Sequence, residues 1–530
     1  SLYFYFYFQS LQKFFSFKFQ VLRSFGIRRD DPRLQQTIKI MYHYDQQNDD
    51  NDDDDDDDDN EYKHRFFNKE QFKECIRPSI NLIAQTLRND LIIPNWGEFT
   101  AKIREIFDEC ASIEEGEVAD YIPQLARVDP DKFGLSICTI DGQRISFGDA
   151  CVPFCFQSIS KAFNYAILAS DMGADYVHEY VGHEPSGRLF NEICLDCNRK
   201  PHNPMINAGA IIVTTLMKMG DKMADRYDFV LTRYKELAGG GYIGFNNATF
   251  LSERDSADRN YALSYYMKEN HCFPGMVSLR DELDFYFQLC SLETTCESAA
   301  VMAATLANGG VCPLTNETCI SPRPCRDVLS LMYSCGMYDY SGQFAFKVGL
   351  PAKSCVSGAM VVVVPNLMGI CIWSPRLDRM CNSVRGVTFC KKLIEIFNFH
   401  NYDSLLHADI KKIDPRKRGV PSESELIIQM MFATKKGDID SIRRMFLGGV
   451  NLNMSDYDGR TPLHLAASEG QLKVVEFFLD IAHVNPLVRD RWDRTAYDDA
   501  MSFGYLNVAE KIKSAMDAVS SGLMPMLVLI

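Results

Sequence analysis

The chain has 530 residues, of which 46% are hydrophobic and 24% are charged. These fractions are typical of soluble globular proteins and exclude a wholly disordered, collagen-like or coiled-coil chain, while the length predicts about three domains. The formal charge is −15, but ten aspartates between Asp49 and Asp59 account for most of it and leave −5 without them, so no basic surface suited to nucleic acid is predicted.

The N-terminal region combines a basic segment with an acidic tract. Residues 1–29 contain five Lys or Arg and no acid, a composition typical of a mitochondrial transit peptide. Residues 48–60 are nearly pure Asp, which repels itself and buries no apolar area. We therefore predict that residues 1–60 are a transit peptide followed by a disordered acidic linker.

Residues 61–112 carry apolar side chains at helical spacing, which predicts a small helical subdomain. The residues that define this spacing are Phe66, Phe67, Phe72, Ile76, Ile80, Ile83, Leu87, Leu91, Phe99, Ile103 and Ile106.

The segment 113–402 mixes strand and helix signals. Two alternating runs flank Asp141-Gly142, which predicts a β-hairpin, and a second pair of strands flanks Pro365-Asn366. Helical stretches such as 161–172 and 299–308 lie between the two strand pairs. This order predicts an α+β domain in which distant strands form one antiparallel sheet against a cluster of helices.

A repeat follows a linker at 403–423. Gly437, Gly470 and Gly504 are separated by 33 and 34 residues, which is the ankyrin period, and Thr461 to His464 match its T-P-L-H signature. We predict ankyrin repeats over 424–519 and an apolar tail over 520–530, with His464 as a structural hydrogen-bonding residue.

The cysteines and the apolar segments give negative predictions. The irregular spacing of the 18 cysteines in a chain this large favours buried thiols in a reducing compartment. Cys194 and Cys197 lack the second ligand pair that zinc requires, so no metal is predicted. The longest apolar stretch, 360–373, is too short to span a bilayer, so no membrane span is predicted.

One short motif indicates nucleophilic catalysis. Ser158 and Lys161 have the spacing Ser-x-x-Lys before an apolar helix, which places both side chains on one face. A buried Lys161 could take the proton of Ser158, and the Ser158 amide at the helix start could donate to an oxyanion. Ser10 and Lys13 repeat the spacing, so the motif alone is not specific.

The motif belongs to a known class of serine hydrolases. Penicillin-binding proteins and class A β-lactamases add a later K-T-G strand beside the nucleophile. Lys353-Ser354-Cys355 precedes the second strand pair where such a strand would lie, although its third residue departs from the pattern.

Longer segments carry a more specific resemblance. These segments are 121–126, 152–155, 200–210, 248–254 and 334–339, and the similarity runs from about Glu61 to Ala515. The chain resembles the animal phosphate-activated glutaminases. The resemblance implies a β-lactamase-like serine hydrolase domain that converts L-glutamine to glutamate and ammonia, a mitochondrial matrix location, and a homotetramer that assembles further into filaments with phosphate. It implies no cofactor other than inorganic phosphate as an activator, and it leaves the partner of the ankyrin repeats unknown.

The resemblance also assigns the site residues. It implies that Ser158 is the nucleophile, Lys161 its base and Tyr338 a second proton-transfer group, with the Ser158 and Val356 amides holding the oxyanion. It implies that Ser158, Tyr338 and Val356 also bind the substrate. It implies the same role for Tyr121, Gln157, Asn207, Glu253, Asn260 and Tyr286. A carboxylate such as Glu253 suits the ammonium of glutamine, and neutral donors suit its carboxylate.

The chain departs from the family at three positions. Cys355, Ala257 and Ala359 stand where the family has glycine. A side chain at 355 could displace the Val356 amide if the backbone there needs positive φ, whereas a strand residue with its side chain turned away would be harmless. Two alternatives to a glutaminase therefore stay open: a catalytically silent ankyrin scaffold, and a β-lactam or peptide hydrolase, which would not need the Glu253 cluster.

Overall fold

The computed structural model describes residues 15–47, 69–187, 192–403, 412–417, 423–447 and 450–521. The chain forms two compact units. The first comprises residues 1–406 and 411–416, and the second comprises 407–410 and 417–530.

Strands from both ends of the predicted α+β domain form one antiparallel sheet in the order β2-β1-β8-β7-β6. A smaller sheet has the order β3-β5-β4. The strands are β1 (Gly134–Thr139), β2 (Arg144–Gly148), β3 (Phe154–Cys155), β4 (Ile243–Phe245), β5 (Leu292–Thr294), β6 (Ala352–Ser354), β7 (Ala359–Val364) and β8 (Met368–Trp373). Gly134 pairs with Trp373 and Thr139 with Met368, so the central pairing joins segments far apart in sequence. The predicted fold class and both predicted strand pairs are confirmed.

Helices surround this sheet. In the first unit they are α1 (Phe15–Ser24), α2 (Gln35–Gln47), α3 (Lys69–Ile76), α4 (Ile80–Leu87), α5 (Trp96–Ala111), α6 (Pro123–Ala126), α7 (Ser160–Met172), α8 (Ala174–Tyr180), α9 (Asn207–Leu216), α10 (Met223–Leu237), α11 (Asn247–Asp255), α12 (Asp258–Glu269), α13 (Leu279–Cys290), α14 (Cys296–Ala307), α15 (Pro322–Cys335), α16 (Ser341–Lys347) and α17 (Val384–Ile396).

The five-stranded sheet is buried on both faces. Alternate residues of β7 divide between the faces, with Val361 and Val363 on the side of α14 and Val362 and Val364 on the side of α5 and α17. Gly369 lets α14 approach closely, because a Cβ at this position would lie 2.1 Å from the Ala304 amide nitrogen. Two apolar cores therefore fix the sheet, and the site described below lies at the end where β6 meets α7.

The described part of the N-terminal region is helical. The segment predicted as transit peptide and disordered linker, 1–60, contains α1 and α2, and Leu22, Ile27 and Leu34 are buried with Leu82 and Leu91 of the next segment. The aromatic and aliphatic residues between the basic ones give these helices an apolar face. Import by a transit peptide stays a prediction. The acidic tract at 48–60 lies outside the described residues.

Two hydrogen bonds and one ion pair join this region to the sheet and to α14. The Arg144 amide donates to the Gly26 carbonyl oxygen (2.8 Å), and the Gln143 side chain donates to the Phe25 carbonyl oxygen (2.9 Å). Arg28 forms an ion pair with Glu297 of α14 (2.5 Å). The predicted helical subdomain 61–112 packs on the sheet, because its helix α5 contributes Phe99, Ile103 and Ile106 to the core beneath the sheet.

The second unit consists of paired short helices. They are α18 (Glu423–Lys436), α19 (Ile439–Leu447), α20 (Pro462–Ser468), α21 (Leu472–Glu476), α22 (Ala496–Ser502) and α23 (Leu506–Ser520). His464 accepts from the Thr461 amide at Nδ1 (3.2 Å) and donates from Nε2 to the Arg494 carbonyl oxygen (3.1 Å). The structural role predicted for His464 is therefore confirmed. The predicted tail lies mostly outside the described residues, which end at Ser521.

All 18 cysteines lie within the described residues, and Cys151 and Cys197 are the two exposed ones. Across the described ranges, none of the helices combines the length and apolar character needed to cross a membrane.

Candidate active site

Ser158 and Lys161 meet at the start of α7. Ser158 lies in the helical turn Gln157–Ile159, which leads directly into α7, so Lys161 follows one turn later on the same face. The Lys161 Nζ donates to the Ser158 Oγ at 2.6 Å. The two residues are 8% and 3% exposed, respectively. The predicted dyad thus has the geometry of a nucleophile and its base.

Burial lowers the pKa of Lys161. Removal from water lowers the pKa of the Lys161 ammonium, while Cys290, Glu253 and Cys355 act in the opposite direction. A lowered pKa increases the fraction of neutral amine near neutral pH, and only the neutral amine can take a proton from Ser158. The electrostatics of the site therefore favour Lys161 as a general base.

Val356 lies across the cavity from α7, just after β6. It occupies the turn that links β6 to β7, and it lines the same cavity as Ser158 and Lys161. The Ser357 hydroxyl donates to the Cys155 carbonyl oxygen (2.8 Å), which ties this turn to the segment that precedes the nucleophile. Val356 and Ser158, from two distant segments, therefore line one cavity.

Cys355 leaves this turn undisturbed. It is not among the described non-glycine residues with positive φ. Its buried thiol lies 2.9 Å from the Ser357 Oγ and donates to the Ala359 carbonyl oxygen (3.3 Å). The side chain is not among the described residues that line the cavity, although its thiol is near enough to Lys161 and Tyr338 to affect the pKa of each. The observation that motivated the silent-scaffold hypothesis is thereby removed.

Tyr338 contributes a phenol to Ser158. It begins the turn Tyr338–Tyr340 with φ of 51°, a conformation that non-glycine residues rarely adopt. Burial and the nearby Cys355 thiol raise the pKa of the Tyr338 phenol, and the nearby Ser158 hydroxyl opposes that rise. Because the phenol keeps its proton at neutral pH, Tyr338 is suited to donate a proton rather than to act as the base.

A carboxylate with two polar neighbours lies on one side of the dyad. Tyr121 donates from its hydroxyl to Glu253 Oε1 (2.5 Å) and to Gln157 Oε1 (3.2 Å). Burial raises the pKa of Glu253, while hydrogen bonds from Tyr121 and Gln157 and the charge of Lys161 lower it. A carboxylate held in this way is suited to pair with an ammonium group.

Asn207, Asn260 and Tyr286 form a second polar group. The Asn207 amide donates to Asn260 Oδ1 (3.1 Å), and the Tyr286 hydroxyl donates to Asn207 Oδ1 (3.4 Å). These neutral donors come from α9, α12 and α13. Their side chains can bind a carboxylate without placing another fixed charge beside Lys161.

One cavity of about 890 Å³ brings nine of the ten predicted site residues together, and Tyr338 lines a smaller neighbouring cavity of about 330 Å³. The larger cavity is also lined by charged residues that sequence reasoning missed, because they belong to no motif. These charged residues are Glu115, Glu117, Asp120, Arg259, Asp378 and Arg379.

Comparisons with known proteins match both units. A family model described as glutaminase matches residues 116–402, one described as ankyrin repeats (3 copies) matches 430–519, and one described as EF-hand domain matches 3–94. In the described loop between α1 and α2, Asp30 and Asp31 are paired with arginines. No group of three or more potential metal ligands occurs among the described residues.

Alignments with individual relatives cover most of the chain. A Caenorhabditis elegans protein named "Putative glutaminase 2" is 58% identical over 94% of this chain and 81% of its own length. The mitochondrial liver isoform of glutaminase from Rattus norvegicus is 47% identical over 94% and 80%. The crystal structure of Mglu in its native form superposes with a TM-score of 0.54 at 38% identity, covering 56% of this chain and 71% of that one.

Proposed function

The chain belongs to the glutaminase family and is an amidohydrolase that acts on glutamine, and from this premise we propose that the reaction proceeds through an acyl-enzyme on Ser158. The observation that carries the proposal is the 2.6 Å contact between the Lys161 amine and the Ser158 hydroxyl inside a cavity with separate sites for an ammonium and a carboxylate.

The polar groups orient the substrate before chemistry. Glu253, supported by Tyr121 and Gln157, pairs with the α-ammonium of glutamine. Asn207, Asn260 and Tyr286 donate to its α-carboxylate. These contacts direct the side-chain amide carbon toward Ser158, and holding the reacting groups together in this way lowers the barrier to attack.

Lys161 and Tyr338 then carry out the proton transfers. Lys161 takes the hydroxyl proton as the Ser158 Oγ attacks the amide carbon, and the oxyanion that forms accepts from the Ser158 and Val356 amides. Tyr338 protonates the amide nitrogen as the C–N bond breaks, and ammonia leaves. Lys161 then passes the serine proton to the Tyr338 phenolate, which leaves the amine free to take a proton from the water that attacks the resulting ester. That proton goes to the Ser158 Oγ as the acyl C–O bond breaks, so glutamate is released and the serine is regenerated.

Trapping of the intermediate tests this mechanism. Purified full-length protein is mixed with L-glutamine, quenched in acid within milliseconds and digested for mass spectrometry. The expected result is one glutamyl group on the peptide that contains Ser158, with ammonia released in parallel. Asparagine serves as the control, because an amide one methylene shorter cannot reach Ser158 from the same anchors. Rapid ammonia release with no adduct, or an adduct on another residue, would contradict the proposal.

Three further properties are proposed from the family resemblance. Inorganic phosphate acts as an activator, the enzyme is a homotetramer that assembles further into filaments, and it resides in the mitochondrial matrix. The rat relative is named as mitochondrial, which supports the location. Activation is tested by comparing rates in phosphate and in chloride of equal ionic strength. Assembly is tested by light scattering with and without phosphate, and location by fractionation of mitochondria.

A further inference from the structure

Three acidic residues line the 890 Å³ cavity in the segment that leads to Tyr121. They are Glu115, Glu117 and Asp120. All three are exposed, and none of them forms an ion pair with another described residue. Their negative charges are therefore not neutralised by a neighbouring side chain.

Contacts of the main chain hold this segment in place. Glu117 forms an antiparallel bridge with Leu377, in which its amide donates to the Leu377 carbonyl oxygen (3.0 Å) and its carbonyl oxygen accepts from the Leu377 amide (2.8 Å). Gly116 has φ of 98°, and a Cβ there would lie 2.7 Å from the Leu377 carbonyl oxygen, so the close approach requires glycine. The Arg385 Nε donates to the Ile113 carbonyl oxygen (2.9 Å) just upstream. Because these contacts use only main-chain atoms of the segment, its acidic side chains can be changed without moving it.

Acidic residues outnumber basic ones along the described lining of the cavity. Besides these three acids, the lining holds Glu253 and Asp378, and its basic residues are Lys161, Arg259 and Arg379. The lowered pKa of Lys161 reduces the positive charge of that amine. The two arginines are exposed and form no ion pair with another described residue. A ligand in the cavity therefore meets a net negative potential.

Substrate and product respond differently to this potential, because they differ in net charge. Glutamine is a zwitterion with no net charge at neutral pH, whereas glutamate has a second carboxyl group whose pKa is about 4.3 and which is therefore ionised. The donors proposed for the α-carboxylate, Asn207, Asn260 and Tyr286, are neutral and do not offset this extra charge. An acidic lining therefore repels glutamate more than glutamine.

The size of the cavity determines how much of this repulsion remains in salt. A cavity of about 890 Å³ is comparable in width with the Debye length, about 8 Å at physiological ionic strength, so the charges of the lining are only partly screened. We propose that Glu115 and Glu117 are specificity-determining residues, whose charge weakens the binding of glutamate without weakening the binding of glutamine. The enzyme then keeps its turnover as glutamate accumulates. This inference rests on the proposed function, which supplies both ligands and their orientation.

Product inhibition of the full-length protein tests the inference. Initial rates of ammonia release are measured at several concentrations of glutamine and glutamate and at constant phosphate, which gives KM for glutamine and the inhibition constant Ki for glutamate. In the double variant Glu115→Gln/Glu117→Gln, Ki should fall about 2- to 5-fold at an ionic strength of about 0.05 M, while KM stays within about 1.5-fold. At about 0.5 M the change in Ki should shrink to less than about 1.5-fold, because salt screens exposed charges. Asp120 is left unchanged, since it directly precedes Tyr121.

Two further variants restrict the test to charge in the cavity. Asp108→Asn/Glu114→Gln removes the same number of charges from exposed acids that are not among the described lining residues, and it should leave Ki within about 1.5-fold. Glu115→Lys/Glu117→Lys changes the charge of the lining by twice as much, so the fold-change in Ki should be about the square of that for the glutamine variant. If neither double variant folds, Glu117→Gln alone replaces them, and its failure to fold would make Glu117 structural and overturn the inference.

Three results overturn the inference while leaving the mechanism intact. Parallel changes in KM and Ki would mean that the two glutamates affect both ligands alike. The same fall in Ki for the Asp108 and Glu114 control would mean that the net charge of the protein matters and the lining does not. An unchanged Ki in the lysine variant would mean that these charges do not reach the ligand. The mechanism itself fails on a different result, namely an active wild-type enzyme that forms no adduct on Ser158.

Discussion

The ankyrin repeats and the catalytic cavity are organised in opposite ways. In the repeats, His464 bonds Thr461 three residues away and Arg494 in the next repeat, so each stabilising contact lies within or between neighbouring motifs. In the cavity, Tyr121 reaches Glu253 and Ser357 reaches the segment before Ser158. Gln157 in the cavity and Tyr338 in the smaller neighbouring cavity are non-glycine residues at positive φ, which is a form of strain that functional sites commonly contain. The comparison teaches that repeat residues mainly stabilise the fold, whereas cavity residues mainly serve chemistry.

Removal of the nucleophile should produce the largest effect. Ser158→Ala should lower kcat by about 10⁴-fold or more while Tm and oligomer size are unchanged, because the hydroxyl contributes to covalent catalysis and little to the core. The assay is ammonia release from glutamine. Ser170→Ala, in the same helix α7, is the matched control and should keep nearly full activity. A Ser158→Ala variant with a tenth of wild-type activity would contradict the assignment.

Removal of the base should be nearly as severe and should not add to the first change. Lys161→Met should lower kcat by about 10³-fold or more, and the double variant should match the worse single variant, since the two residues act as one unit. Additive losses would show that they act separately.

The pH profile gives a second measurement on Lys161. Its pKa is lowered, so kcat/KM should rise with pH at an apparent pKa below the roughly 10.4 of a free lysine. The raised pKa of Tyr338 keeps that phenol protonated over the same range, so Tyr338 should not contribute to this rise. A profile without a rising limb would contradict the assignment of the base.

A change in the repeats should show the reverse pattern. His464→Ala removes two buried hydrogen bonds and should lower the free energy of unfolding of the second unit by about 1–3 kcal/mol. kcat should be unchanged. Calorimetry and the ammonia assay on the same preparation measure both effects, with Ser468→Ala in the same helix as a milder control. A loss of activity larger than the loss of folded protein would break the contrast between the units.

The smallest effect is expected at Cys355. Cys355→Gly should change kcat by less than about tenfold, equivalent to roughly 1.4 kcal/mol, because the backbone there already has negative φ and the thiol donates to the Ala359 carbonyl oxygen within its own turn. The two proteins are assayed side by side. A silent native chain together with an active glycine variant would restore the scaffold hypothesis.

Local patterns in the sequence predict much of this structure. Asp141-Gly142 indicates the first hairpin, the 33-residue period indicates the repeats, and the spacing of Ser158 and Lys161 indicates one helical face. Each of these signals depends on residues close together in the chain, where backbone geometry alone determines which side chains meet.

Long-range features could not be predicted in the same way. Nothing in local spacing brings Tyr338 to Ser158 or Glu117 to Leu377, and the family resemblance supplied only the first of these. The packing of the N-terminal helices could not be predicted from their charge, because Leu22, Ile27 and Leu34 are buried against Leu82 and Leu91, far along the chain. The site residues beyond the dyad therefore depend on tertiary contacts that periodicity does not encode.

The pairing of β1 with β8 has a consequence for how the protein is made. Thr139 leaves the ribosome long before its partner Met368, and at about 5–20 residues per second the roughly 230 residues between them take on the order of 10–50 s. During that interval the β1–β2 hairpin has an unpaired apolar edge, which is a template for wrong strand pairing. Synthesis of this enzyme is therefore expected to depend on protection of the nascent hairpin, and slowing translation between β2 and β7 should increase aggregation.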